Sequence, residues 1–86
     1  MGNRGFGYEE LAGLMRSKAG VSVDPAVLEG SPDVEFAQYG LDSLGLLGLV
    51  AELEQTYGVE LGGGAVASRT PREFVETVGA SLRTVG

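Results

Sequence analysis

The chain has no histidine, no cysteine and no tryptophan. Without His or Cys, neither a Ser-His-Asp nor a Cys-His nucleophile can be assembled. A disulfide framework and a thiolate metal site are excluded for the same reason. Any thiol chemistry must therefore come from an attached group. Basic residues are missing from the whole centre of the chain: none lies between Lys18 and Arg69. That stretch holds eight acids, Asp24, Glu29, Asp33, Glu35, Asp42, Glu52, Glu54 and Glu60, and the net charge is −6. A centre of one sign repels nucleic acid and anionic membranes and attracts basic protein surfaces. It also serves plain solubility. Long apolar runs are absent too, since the stretch from Leu44 to Ala51 is far too short to span a bilayer. Met1 to Gly7 carries Arg4 with no apolar run behind it, and Phe6 stands where a myristoylation signal wants Ser or Thr. A cytoplasmic protein follows as the expectation, with no membrane or nucleic-acid partner and no reason to oligomerise beyond a monomer.

Eighty-six residues make one small domain, 1–86, with 1–7 expected to be flexible. What is present is helical periodicity. Leu11, Leu14, Met15 and Ala19 fall on one face of a helix over about 8–19, with Glu9 and Glu10 in its first turn and Gly20 behind it. Residues 21–41 read as a long connection punctuated by Pro25, Gly30, Pro32 and Gly40, in which only 24–28 suits a short helical turn. Val34, Phe36 and Leu41 are its expected apolar anchors. A second main helix runs from Ser43 to about Tyr57 with Asp42 as N-cap. Its core stripe is Leu46, Leu49, Val50, Leu53 and Tyr57, while Leu44, Leu47, Gly48, Ala51, Glu54 and Gln55 point away from it. Gly58 ends it, Val59-Glu60-Leu61 is extended, and 65–67 forms a turn of helix after the glycine run. Thr70-Pro71-Arg72-Glu73 is a capping box that opens the last helix, whose apolar face is Phe74, Val75, Val78 and Leu82. The fold class is all-α, a small bundle of three main helices plus a short one, with a long loop between the first two main helices.

Gly40-Leu41-Asp42-Ser43-Leu44 is the segment with chemical content. It sets a serine at the mouth of a hydrophobic helix in a chain with no base to activate it. Capping alone explains an Asp-Ser pair at a helix start. Three neighbours point further: Gly40 allows a tight turn, Leu44 and Leu47 expose apolar surface, and the long connection delivers the chain to this point. Gly45 and Gly48 each cost about 1 kcal/mol inside a helix, so close approach of something else is expected there. A serine presented in this way is a substrate for another enzyme's chemistry.

The segment resembles the attachment motif of the acyl carrier protein family. The resemblance runs through the whole chain, including Phe36 ahead of the motif, Tyr57-Gly58-Val59-Glu60-Leu61 and Thr70-Pro71. Tyr57-Gly58-Val59 and Thr70-Pro71-Arg72-Glu73-Phe74 are most similar to discrete carriers of bacterial type II (aromatic) polyketide synthases. The resemblance implies an acyl-carrier-like bundle that is not an enzyme. It implies 4′-phosphopantetheine, taken from coenzyme A, on Ser43, with Asp42 and Leu44 flanking it, and polyketide intermediates held as thioesters. It implies as partners a phosphopantetheinyl transferase, a malonyl transferase, a ketosynthase/chain-length factor and tailoring enzymes. They would dock on Asp42, Leu44, Leu47, Ala51 and Glu54. Gly45 and Gly48 depart from the acids often found on that surface in fatty acid carriers, which implies a more apolar contact. Glu52, off that face, is read as solvated. Leu49, Val50, Leu53, Leu61, Val66 and Phe74 are read as core rather than as a cargo pocket. The alternatives are a carrier of fatty acyl or aminoacyl units, or an unmodified helical adaptor.

Overall fold

The structure, a computed structural model, describes residues 6–85. The described residues contain five α-helices and one 3-10 turn, and no strand occurs among them. Helix α1 spans Tyr8–Ala19, α2 Pro25–Gly30, α3 Ser43–Tyr57, α4 Gly62–Val66 and α5 Pro71–Val85, with the 3-10 turn at Phe36–Tyr39. The three long helices enclose one core.

Helix α1 forms where the periodicity places it. Leu11 and Met15 are fully buried, and Glu10 Oε1 accepts from the Gly7 N–H at 2.9 Å, satisfying one orphan donor of the first turn. Phe6 corrects the expectation of a flexible 1–7: it is buried, and its ring meets Phe74 edge-on at 5.8 Å. An aromatic ring placed just before a helix gains more by joining the core than by staying in water. Residues 1–5 lie outside the described residues.

The connection from 21 to 41 is more ordered than its punctuation suggested. Asp24 Oδ1 accepts from the Ala26 N–H at 2.8 Å and Pro25 pre-sets the first helical φ, so a six-residue helix forms and buries Leu28 completely. Phe36 and Leu41 are buried as expected, whereas Val34 is exposed. A clip then ties this connection to the start of α5. Arg72 donates to both carboxylate oxygens of Asp33 at 2.8 and 3.1 Å. Beside it the Arg72 N–H donates to the Pro32 carbonyl at 3.0 Å, and the Phe36 N–H to the Arg69 carbonyl at 2.8 Å.

The Arg72 hydrogen bonds, reinforced by its charge, hold the Asp33 carboxyl below the usual aspartate pKa against a smaller opposing effect of desolvation. A carboxyl lowered in the folded state contributes stability above its unfolded pKa, about 3.9, and loses that contribution as pH falls through the lower folded value. The advantage of wild type over Asp33→Asn in urea unfolding should therefore be level near neutrality and shrink below about pH 4. The pair is exposed, so the effect is small and weakens with salt.

Helix α3 carries the central stripe of Leu46, Leu49, Val50 and Leu53, all buried. Tyr57 departs from the expected stripe and is 40% exposed. It is the last residue of α3, at the rim, where a tyrosine keeps its hydroxyl in water and rests its ring on apolar neighbours. Helix α4 also differs from expectation: it begins at Gly62, runs through the glycines and ends at Val66. The local cost of helical glycine, about 1 kcal/mol each, is overridden by tertiary contacts. Ala65 is fully buried, and the buried Ser68 hydroxyl donates back to the Gly64 carbonyl at 3.3 Å. Thr70 Oγ1 accepts from the Glu73 N–H at 3.2 Å, as a capping box requires. The reciprocal arm is shifted by one residue, because Glu73 Oε1 accepts from the Arg69 N–H at 2.8 Å. Among the described residues no helix is long and apolar enough to cross a membrane.

Candidate functional site

The 3-10 turn Phe36–Tyr39 aims the chain at the start of α3. Gly40 closes it at φ 82°, a left-handed conformation that side chains with a Cβ avoid. Its N–H donates to the Ala37 carbonyl at 3.0 Å and the Leu41 N–H to the Phe36 carbonyl at 3.1 Å. Asp42 follows in extended conformation and caps α3, its Oδ1 accepting from the Gly45 N–H at 2.9 Å. The structure thus has the N-cap where the sequence placed it, on Asp42. Ser43 becomes the first helical residue, exposed, with its hydroxyl bonded to no described residue. The backbone N–H groups of Ser43 and Leu44 likewise have no acceptor among the described residues. A hydroxyl beside free helix N-terminal donors suits an attached anionic group.

A groove of about 430 Å³ opens next to this hydroxyl. One wall is Phe36, Ala37 and Leu41 from the connection, and the floor is Ser43 and Leu46. The other wall is Val66, at the end of α4, with Ser68 and Arg69 from the link between α4 and α5. The Asp33–Arg72 clip joins the segments that carry the two walls. Sequence reading missed Ala37, Ser68 and Arg69. The one available signal was that Arg69 is the first cation after Lys18.

On the other side of Ser43, the outward face of α3 is apolar. Leu44 is 76% and Leu47 49% exposed, and Gly48 and Ala51 are exposed between and beyond them. Glu54 at the far end is only half free: its Oε2 accepts from the Leu61 N–H at 2.8 Å and anchors the turn after α3. Glu52 is not simply solvated, since it pairs with Lys18 at 3.3 Å and accepts from the Thr56 hydroxyl. Leu49, Val50, Leu53, Leu61 and Phe74 are buried in the core, whereas Val66 is half-buried and lines the groove.

The two glycines of α3 have different causes. A Cβ on Gly45 would lie 2.5 Å from Leu41 Cδ1, so a larger residue there forces the buried Leu41 side chain to shift and the chain's own packing favours glycine. A Cβ on Gly48 would meet nothing within 4 Å. Gly48→Ala should therefore stabilise the fold by about 1 kcal/mol, raising Tm by roughly 4–8 °C. Gly45→Ala gains the same propensity but must displace the buried Leu41, at about 1–3 kcal/mol, and should fall below wild type. Thermal unfolding of the two variants checks the order.

Residues 9–78 match the family model described as "Phosphopantetheine attachment site". A probable acyl carrier protein of Streptomyces coelicolor is 50% identical over 76 residues, 88% of this chain and 84% of that one. The curamycin polyketide synthase acyl carrier protein of Streptomyces cyaneus is 49% identical, covering 86% of this chain and 84% of its own. The solution structure of the oxytetracycline acyl carrier protein superposes with a TM-score of 0.75 at 37% identity, over 98% of this chain and 90% of that one. Sequence and fold thus agree over nearly the full length, and the chain belongs to the acyl carrier protein family, whose members work through covalently attached 4′-phosphopantetheine.

Proposed function

We propose that Ser43 is the attachment residue and that the protein carries polyketide intermediates for a type II polyketide synthase. The supporting observation is the division of labour at the start of α3. Asp42 does the capping, which leaves the Ser43 hydroxyl exposed and without a structural role. The residues fit the group: two free N–H donors and the positive end of a 15-residue helix face a phosphodiester there, and a groove lies beside it. The attached arm supplies a terminal thiol on which acyl groups ride as thioesters. The chain itself supplies position. With no His or Cys, it assembles neither a Ser-His nor a Cys-His pair; a phosphopantetheinyl transferase provides the activation of Ser43. Tethering raises the effective concentration of each intermediate at partner active sites.

Partner enzymes dock on Asp42, Leu44, Leu47 and Ala51, where Gly48 leaves room for close approach, and Glu54 offers its second carboxylate oxygen at the edge. The polyketide assignment draws support from the curamycin and oxytetracycline carriers among its relatives. It is tested by loading. The phosphopantetheinylated protein should accept malonyl units and support chain extension by the ketosynthase/chain-length factor of a type II system. Charging by an amino-acid-adenylating enzyme, or elongation only by fatty acid ketosynthases, would contradict it.

A further inference from the structure

Arg69 is placed at the groove by its backbone and has no ionic partner there. Its N–H donates to Glu73 Oε1 at 2.8 Å and its carbonyl accepts from Phe36 at 2.8 Å, which fixes its backbone beside the groove that Ser43 also lines. Its guanidinium pairs with no described acid: Asp33 is taken by Arg72 and Glu52 by Lys18. The other ionisable groups lining the groove, Glu35 and Asp42, are both acidic. The groove therefore carries a net negative charge before anything is attached, and a phosphodiester on Ser43 adds another. The α3 N-terminus offsets about half a charge, and the Asp42 carboxylate beside it works in the opposite direction. One cation lines this groove, and it belongs to the residue type whose planar fork best matches a phosphate.

We infer that Arg69 is the counter-ion of the phosphate carried on Ser43. The pairing holds the root of the arm over the groove between α3 and the α4–α5 link. The Leu44/Leu47 face, on the other side of Ser43, is then left open to partner proteins. Such steering requires a cation lining the same groove as the serine, and Arg69 is that cation. The inference rests on Ser43 being the attachment residue, and its test separates the two.

Wild type, Arg69→Gln, Arg69→Lys and, as a control outside the groove, Arg16→Gln are treated with coenzyme A and a phosphopantetheinyl transferase. Fragment masses first locate the added group. The 31P line of each loaded protein and the arginine Nε–Hε signals of apo and loaded wild type are then recorded. The Arg69 signal should move on loading while that of Arg16 stays. The 31P line should shift in Arg69→Gln, shift less in Arg69→Lys, and stay unchanged in Arg16→Gln. The difference between wild type and Arg69→Gln should fade in 1 M salt, where the Debye length is about 3 Å. Complete loading on Ser43 with identical 31P lines in wild type and Arg69→Gln would overturn the counter-ion role and leave the attachment intact. Loading anywhere other than Ser43 would overturn both. The exposed Arg69 side chain makes no contact the fold depends on, and the Lys variant provides a second reading if the Gln variant is perturbed.

Discussion

Ser43→Ala should remain folded and gain no mass on incubation with coenzyme A and a promiscuous phosphopantetheinyl transferase, under conditions that add one phosphopantetheine to wild type. The two halves of this result have separate causes. Stability is spared because the Ser43 side chain is exposed and bonded to no described residue, and the helix keeps its Asp42 cap. Changes at such positions usually stay within about 0.5 kcal/mol, and alanine is a better helix former than serine. Loading should be lost because the exposed hydroxyl is the proposed bond-forming atom, and no neighbouring serine stands at the same helix start. A circular-dichroism melt that overlays wild type, with a flat mass spectrum, is the expected pair of readings. A variant that unfolds would instead show that Ser43 helps to hold α3 in place.

Phe74→Ala should have the largest effect on stability. Phe74 is fully buried on α5 and receives the rings of Phe6 and Phe36 edge-on, at 5.8 and 6.0 Å between centroids. Truncating such a phenylalanine costs about 3–5 kcal/mol, of which each lost aromatic pair accounts for about 0.5–1.5 kcal/mol. Small domains hold only about 5–15 kcal/mol in total. Each kcal/mol moves Tm by roughly 4–8 °C in a domain of this size, so a fall of at least about 12 °C is expected in a thermal melt. The damage reaches the functional site through Phe36. That ring anchors the turn that forms one wall of the groove and precedes Gly40. Amide exchange in 36–41 should therefore rise together with that in α5. A melt within a few degrees of wild type would show that the three rings do not form the keystone of the core.

The features legible in the sequence were the ones whose causes are local. Gly40 and Gly58 act through their own backbone and Asp42 through a side chain that reaches a backbone N–H three residues on, and the structure places all three as expected. Thr70 and Pro71 announce α5 for the same reason. The features that escaped are tertiary. Nothing near Gly45 in the sequence says that Leu41 folds back over it, so a partner was the natural explanation for a glycine there. Gly62-Gly63-Gly64 reads as loop by propensity and becomes helix because Ala65 is drawn into the core. Glu54 looks like free surface charge until Leu61 comes round to bond it. Arg69 lies 26 positions from Ser43 in the sequence and shares its groove only once α4 has turned the chain back. Ser43, the proposed attachment residue, was legible as a motif. That its hydroxyl is left unbonded was not, because an Asp42 cap does not by itself say whether another segment folds over Ser43.

The most direct measurement is fragmentation mass spectrometry of the wild-type protein after exposure to coenzyme A and transferase. The chain has six serines, Ser17, Ser22, Ser31, Ser43, Ser68 and Ser81, so the result is discriminating. A single phosphopantetheine confined to the residue between Asp42 and Leu44 is the predicted result. An unmodified chain, or the group on any other residue, would contradict it.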